Sequence, residues 1–415
     1  MSDALCKRRS TCRLCGSTDL TNVFSLAPTP PANAFVGPDQ LDQTQATFPL
    51  DIFFCQDCSH LQLLDVVDPA ELFRNYVYVS GTSPSFVKHF EDYALTCIDR
   101  FGLTEGQLAL DIGSNDGTLL GGFKDKGLNV LGIDPARAIA EEATNNGIET
   151  WPDFFDQTVA DKIQNKRGQA SLVTANNVFA HTDNLSGITD GIRSLLTDDG
   201  VFVFEVSYLG DVFEKTLFDT IYHEHVAYHS VIPLVKFFQS KGMELFAAQR
   251  VGSHGGSLRA MVQIADGPHK ADGSIDELIE YEKGLALNKA ATWTGYAQKI
   301  DALRDKLVDL LTGLKTNGKT IAGFGAPAKA TTLMYHFAIG PDAIDFIADD
   351  SPLKQGLYSP GLHIPVLSGQ AIYDMKPDYM VMLAWNFAPQ IMANHQKFLD
   401  GGGHFIVPLP EVRIY

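Results

Sequence analysis

An apolar strand period, Leu108-Ala109-Leu110-Asp111-Ile112, runs directly into Gly113-Ser114-Asn115-Asp116-Gly117 and then into a helical run from Thr118 to Lys126. Glycines let a backbone turn sharply and approach a ligand, and the helix N-terminus behind them presents free N–H groups. A second strand, Asn129 to Ile133, ends in Asp134, where a carboxylate can accept both hydroxyls of a ribose. This order of elements is the nucleoside-binding geometry of a doubly wound parallel sheet.

The loop is not the G-x-G-x-x-G dinucleotide fingerprint. Its Asp-x-Gly-x-x-x-Gly form places a carboxylate at the strand end in place of a bare pyrophosphate cradle, which suits a cationic, phosphate-free ligand such as S-adenosylmethionine. Asp111, Gly113, Asn115, Gly117 and Asp134 are the expected cofactor residues. Phe154, in Asp153-Phe154-Phe155 after the third strand, is expected beside adenine, and Asn176 and Asn177 beside the methionine part. The bland alternatives are an ordinary strand-turn-helix and, for Phe154, a core position.

Around this unit the chain reads as α/β. Further apolar runs at Ser171 to Val178, Gly200 to Val206, Met243 to Val251 and Leu258 to Ala265 continue the alternation of strand and helix periods, the last two as a terminal antiparallel hairpin. Residues from about Ser274 to Thr316 lack Pro and read as one long amphipathic helix, with apolar side chains from Tyr296 to Leu314 in steps of four and three. Four short strands follow, in KTIAGFG, AIDFIAD, YMVMLAW and HFIVPL. The expected architecture is a small N-terminal zinc-binding module over 1–75, a central Rossmann-like class I methyltransferase domain over 76–285, and a C-terminal Rossmann-like α/β domain over 286–415.

Of six cysteines, four fall in the pairs Cys12-Arg13-Leu14-Cys15 and Cys55-Gln56-Asp57-Cys58. Each pair forms a tight turn that aims two thiolates at one point, and together they supply the tetrahedral sulfur set of structural Zn²⁺. The alternative is four reduced core cysteines, but a segment this small needs a staple. A closed four-sulfur site has no open position, so chemistry is expected elsewhere.

Lys and Arg total 32 against 50 Asp and Glu, giving a formal charge of −18 that repels phosphate backbones and anionic lipid. Nucleic acid and membrane partners are not expected. With no leader-like N-terminus and no long apolar run, the expected location is cytoplasmic. Three domains able to bury one another's faces are compatible with a monomer.

After the fifth strand comes Glu205-Val206-Ser207-Tyr208, then Ile221-Tyr222-His223-Glu224-His225-Val226-Ala227. Ala227 stands where H-E-x-x-H would place its second histidine, which disfavours a zinc protease. A Tyr, Glu and His cluster suits proton abstraction beside a carbonyl, where the base needs a near-neutral pKa and the enolate needs donors. With the paired cysteines, the Tyr76 to Ser83 segment, the G-S-N-D-G loop, Ala175 to His181, Tyr208-Leu209-Gly210-Asp211, His254-Gly255-Gly256 and Gly325-Ala326-Pro327-Ala328-Lys329, the sequence resembles the zinc-containing sugar C-methyltransferases of deoxysugar biosynthesis over essentially its whole length. The resemblance implies that Tyr76, His181, Tyr222, Glu224 and His225 line the reaction centre. It also implies a nucleotide-linked keto-sugar held between the central and C-terminal domains, with Tyr78, Ser80, Ser83 and His254 among its contacts. On this reading His225 removes the proton alpha to the ketone, Glu224 holds its ring, and Tyr222 and His181 donate to the enolate oxygen.

A second glycine loop, Gly323-Phe324-Gly325-Ala326-Pro327-Ala328, fits G-x-G-x-x-A, with Asp349 closing the next strand. Alone it suggests an NAD(P)-dependent oxidoreductase, but Pro327 removes an N–H that a pyrophosphate would want. It reads instead as a phosphate-contacting turn with Lys329, Lys354 and Asn386 as substrate contacts, or as a structural αβ cap. An O-methyltransferase and a non-enzymatic zinc scaffold are the remaining alternatives.

Overall fold

The computed structural model describes residues 5–74, 79–82 and 84–415. In the N-terminal segment β1 (Cys6–Arg8), β2 (Leu20–Thr29), β3 (Phe48–Cys55), β4 (Leu61–Leu63) and β5 (Asp65–Val67) follow in order. β2, β3 and β4 form an antiparallel meander, and β1 pairs with β5. Leu20 lies opposite Cys55 in the register, so the two cysteine turns meet at one end of the β2–β3 ribbon. The long stretch between the pairs is spent running out along the ribbon and back.

The central sheet is built from β6 (Leu108–Ile112), β7 (Asn129–Ile133), β8 (Thr150–Trp151), β9 (Ala170–Asn176) and β10 (Leu196–Ser207). After them β11 (Ala227–Tyr228) leaves this sheet and pairs with β4, as the edge strand of the N-terminal sheet. β12 (Met243–Val251) and β13 (Ser257–Ile264) complete the central order β12-β13-β10-β9-β6-β7-β8, with β13 antiparallel to both neighbours and the strands from β10 to β8 parallel. Alternation along β10 feeds two cores: Val201 and Val203 pack with Phe90, Leu120 and Phe123, whereas Phe202 and Phe204 pack with Leu185, Ile192 and Leu234. Burial on both faces is what a parallel sheet flanked by helices requires. This is the doubly wound class I sheet that the sequence predicts.

The C-terminal sheet, β14 (Ile321–Phe324), β15 (Ile347–Asp349), β16 (Val366–Ser368), β17 (Tyr379–Met382), β18 (His404–Val407) and β19 (Arg413–Ile414), has the order β16-β15-β14-β17-β18-β19, parallel except for β19. The four anticipated strands are present; the two edge strands, of three and two residues, are too short to show a period.

Two expectations need correction. The single long helix is two, Ser274–Gly284 and Ala290–Thr316, separated by a turn in which Ala286 has φ 55°. The first packs on β12 and the second on β2, so the chain bends to serve two surfaces. The N-terminal segment is also less self-contained than expected. Phe24, Leu26, Leu50 and Ile52 share one core with Trp293, Ile300, Leu307, Leu333 and Phe337. Its sheet is therefore held by the C-terminal unit as well as by its cysteines.

Candidate active site and zinc site

The Sγ atoms of Cys12, Cys15, Cys55 and Cys58 all lie within 4.8 Å of one another. Cys12 and Cys58 are 3.6 Å apart and Cys15 and Cys55 3.5 Å. A tetrahedron of sulfurs at about 2.3 Å from Zn²⁺ has edges of roughly 3.8 Å, so the four residues fit a structural zinc ion and leave it no open position.

The carboxyl edge of the central sheet opens into a cavity of about 1080 Å³, walled also by residues of the N-terminal and C-terminal units. At the cofactor end, Gly113 has φ 70°, and a Cβ there would lie 2.2 Å from Val178 Cγ2. Glycine is required on both counts. Asp134 organises the loop: its Oδ2 accepts from Asn115 N at 2.9 Å and its Oδ1 from Ala136 N at 2.8 Å. Burial raises its pKa, and those two N–H groups oppose the rise. Burial pushes Asp111 up to about 7, against a 2.6 Å hydrogen bond donated by Thr174 Oγ1.

The Asn176 amide, on the cavity wall, has its Nδ2 and Oδ1 buried with no hydrogen-bond partner among the described residues. A buried amide left with both functions open is costly unless a ligand meets it. Phe154 and Asn177 also line the cavity, and the Arg74 guanidinium lies 4.9 Å from the Phe154 ring centroid. The carboxylates, the glycine turn and this amide fit S-adenosylmethionine.

At the reaction end, Ala180 O accepts from both Val226 N and Ala227 N, which draws the segment bearing His225 against the one bearing His181. Their rings are 4.9 Å apart between centroids, and Tyr222 stands 4.2 Å from His225. Burial, with Glu224 adding, holds the Tyr222 phenol well above its ordinary pKa, so it stays a donor. His225 Nδ1 lies 2.7 Å from Thr220 O. A carbonyl only accepts, so Nδ1 carries the proton and Nε2 is the basic nitrogen of the neutral ring.

Glu224, expected to hold this ring, also reaches the N-terminal segment. The Thr220 carbonyl holds the His225 ring at Nδ1, and Glu224 Oε1 accepts from Asn33 Nδ2 at 2.8 Å. Neighbours in a tight turn project in different directions: His225 and Tyr222 line the cavity, whereas Glu224 is buried behind it, 3% exposed. Ser80 does line the cavity, and its N–H donates to Asn115 Oδ1 at 2.9 Å, so one contact ties an expected substrate residue to an expected cofactor residue. Gly81 N likewise donates to Asp116 Oδ2 at 2.7 Å. Tyr76, Tyr78 and Ser83 lie outside the described residues. His254 falls in the turn Ser253–Gly255, and its side chain is also outside them.

The C-terminal unit supplies Lys329, Lys354 and Asn386 to the wall. Lys329 Nζ donates to Asn386 Oδ1, and Lys354 Nζ to Ala326 O at 2.7 Å. Among the described residues these two lysines are the cationic side chains of the cavity, whereas the other walls carry Asp68, Asp111, Asp116, Asp134, Asp153, Asp156 and Asp183. Asn33, Phe73 and Thr220 belong to the site without having been anticipated. They come from a proline-rich loop, a short helix and a 3₁₀ turn with no motif; their signal is proximity in space.

Family models match the chain in three consecutive stretches: a zinc-binding domain over 12–73, a methyltransferase domain over 87–249, and a C-methyltransferase C-terminal domain over 252–410. The chain is 36% identical over 403 residues to the C-methyltransferase NovU of Streptomyces niveus, covering 97% of this chain and 96% of that one. It belongs to the zinc-containing C-methyltransferase family. As such it is an S-adenosylmethionine-dependent C-methyltransferase with a structural zinc ion. Among solved structures, magnesium protoporphyrin IX methyltransferase (ChlM) from Synechocystis PCC 6803 with bound SAH is 17% identical, covering 42% of this chain and 82% of that one, with a TM-score of 0.34. The PH0226 protein of Pyrococcus horikoshii OT3 is 13% identical, covering 47% and 98%, with a TM-score of 0.37. No described helix is long and apolar enough to cross a membrane.

Proposed function

We propose that the enzyme methylates the carbon alpha to the ketone of a nucleotide-linked keto-sugar through an enolate. The supporting observation is the polarity of one cavity: aspartates on the central-domain side, two lysines on the C-terminal side, and His225 in the same wall system. A cation belongs against the aspartates and a diphosphate against Lys329, Lys354 and Asn386. On this reading residues 1–75 hold zinc, 76–285 hold the cofactor and the base, and 286–415 hold the anionic end of the substrate.

Bound at the Gly113–Gly117 turn, S-adenosylmethionine supplies a methyl group on a positively charged sulfur that departs as a neutral thioether. The protein does the rest. His225 Nε2 takes the alpha proton, its ring fixed through Nδ1 by the Thr220 carbonyl. Tyr222 and His181 donate to the oxygen on which the negative charge develops, and Tyr76 is assigned beside them from the family resemblance. The carbon–methyl bond forms as the carbon–sulfur bond breaks, and the transferred proton ends on the imidazole. Glu224, next to the base in the chain, supports the wall through Asn33.

The test is incubation of candidate nucleotide-linked keto-sugars with ¹³C-methyl-labelled cofactor and NMR of the product. A methyl carbon coupled to carbon is expected; a methoxyl signal would sink the proposal and favour an O-methyltransferase. In D₂O with S-adenosylhomocysteine, the alpha hydrogen should wash out with the native enzyme and persist with His225→Asn.

A further inference from the structure

The turn Phe218–Thr220 and the residue after it make three consecutive contacts that the mechanism above uses only in part. The Asp219 side chain crosses to the C-terminal unit, where its Oδ2 accepts from Trp385 Nε1 at 2.6 Å. The Thr220 carbonyl holds His225 Nδ1. The Ile221 carbonyl accepts from Thr332 Oγ1 at 2.8 Å, on the helix Ala328–His336 that also carries Lys329. One short turn thus touches the base and both elements that present the lysine.

Asp219 is 0% exposed, and its Oδ1 is buried with no hydrogen-bond partner among the described residues. A buried carboxylate this poorly satisfied is costly unless a positive charge offsets it. That charge is close by: Lys329 Nζ sits 4.8 Å from the ring centroid of Trp385, the residue that Asp219 grips, and is hydrogen-bonded to Asn386 next in the chain. Burial pushes Asp219 toward its neutral acid and Lys329 toward its neutral amine, and each group's field opposes the other's loss of charge. An anion-binding lysine in such a wall keeps its ammonium only if something behind it is negative.

We infer that Asp219 is a positioning residue for substrate binding, which keeps Lys329 charged and the Trp385–Asn386 turn in place so that the lysine can receive the diphosphate of the substrate. The inference rests on the reading that Lys329 meets that diphosphate. Asp219 itself touches neither substrate nor cofactor; it acts through Lys329.

The experiment is calorimetric titration of the zinc-loaded enzyme, saturated with S-adenosylhomocysteine, with uridine diphosphate, thymidine diphosphate and inorganic pyrophosphate. Lys329→Met and Asp219→Asn should each weaken diphosphate binding about tenfold, as loss of one close charge pair does. The double variant should be no weaker than Lys329→Met alone, with S-adenosylhomocysteine affinity unchanged throughout. A general structural role for Asp219 would instead give additive losses in the double variant, and that overturns the inference. So does native affinity in Asp219→Asn while Lys329→Met is weakened. If the native protein binds none of the three probes, or Lys329→Met binds them normally, the substrate-site reading fails and takes the inference with it. Should Asp219→Asn not fold, Trp385→Phe removes the hydrogen bond that favours the ionised carboxylate, and must weaken binding in the same direction.

Discussion

The protein contains the same backbone device twice. In the central unit a strand runs into Gly113 at φ 70°, and Asp134 on the next strand accepts from Asn115 N at 2.9 Å and Ala136 N at 2.8 Å. In the C-terminal unit a strand runs into Gly325 at φ 86°, and Asp349 accepts from Ala326 N at 2.6 Å and Ser351 N at 2.7 Å. What differs is the surroundings. Asp111 stands two residues before Gly113, whereas Gly323 stands two before Gly325; Ser114, Asn115 and Asp116 follow the first glycine, but Ala326, Pro327, Ala328 and Lys329 the second. The strand-end aspartate shapes the turn in both places, and the charge around the turn selects the ligand.

His225 is the place to separate the two halves. His225→Asn should lower kcat by roughly a thousandfold, the usual worth of a general base. Its affinities for S-adenosylhomocysteine and for nucleoside diphosphate should both stay native, as single-turnover kinetics and calorimetry would show. Loss of either affinity would mean that the base is part of a binding surface.

The paired aspartates give the next largest contrast. Asp134→Asn should weaken S-adenosylhomocysteine by roughly tenfold to a hundredfold, through loss of charge-assisted hydrogen bonds. Asp349→Asn should leave that affinity unchanged and lower the melting temperature. Equal losses from the two changes would erase the distinction between the loops. A smaller effect belongs to Lys354, whose change to Met should raise the dissociation constant of a nucleoside diphosphate about fivefold without moving cofactor affinity.

The smallest contrast is a pH effect that the second unit, with Gly323 in place of an acid, cannot show. Burial places the folded-state pKa of Asp111 at about 7, above its ordinary value of 3.8. The folded state then holds that proton more tightly than the unfolded chain, so this contribution to stability is full below about pH 4 and disappears as pH rises through about 7. Denaturant midpoints of the cofactor-free protein between pH 5 and 8 should fall more steeply for the native enzyme than for Asp111→Asn. Parallel curves would refute the assignment.

Much of this architecture is written in local sequence. The cysteine pairs, both glycine turns and the strand-end aspartates involve residues close together in the chain, whose types are set by backbone angles or ligand chemistry. The helix break at Leu285 to Lys289 was not legible, because no Pro marks it and the bend answers to two surfaces far apart in sequence. Thr220 was equally hidden, since it acts through a carbonyl that every residue possesses. The contact of Glu224 with Asn33 was hidden for a related reason: the two lie 191 positions apart. The core shared by the first and last units likewise depends on long-range packing.

Arg13, inside the first cysteine turn, gives the metal a reach beyond its own site. Its buried guanidinium donates through Nη1 to the carbonyl of Val226, the residue after the base, at 2.9 Å, and also to that of Leu63. Zinc therefore anchors the far end of a lever whose tip steadies the imidazole. A chelator should silence turnover before the central sheet melts, so that a metal with no part in bond making would present, in an assay, as one that catalysis demands.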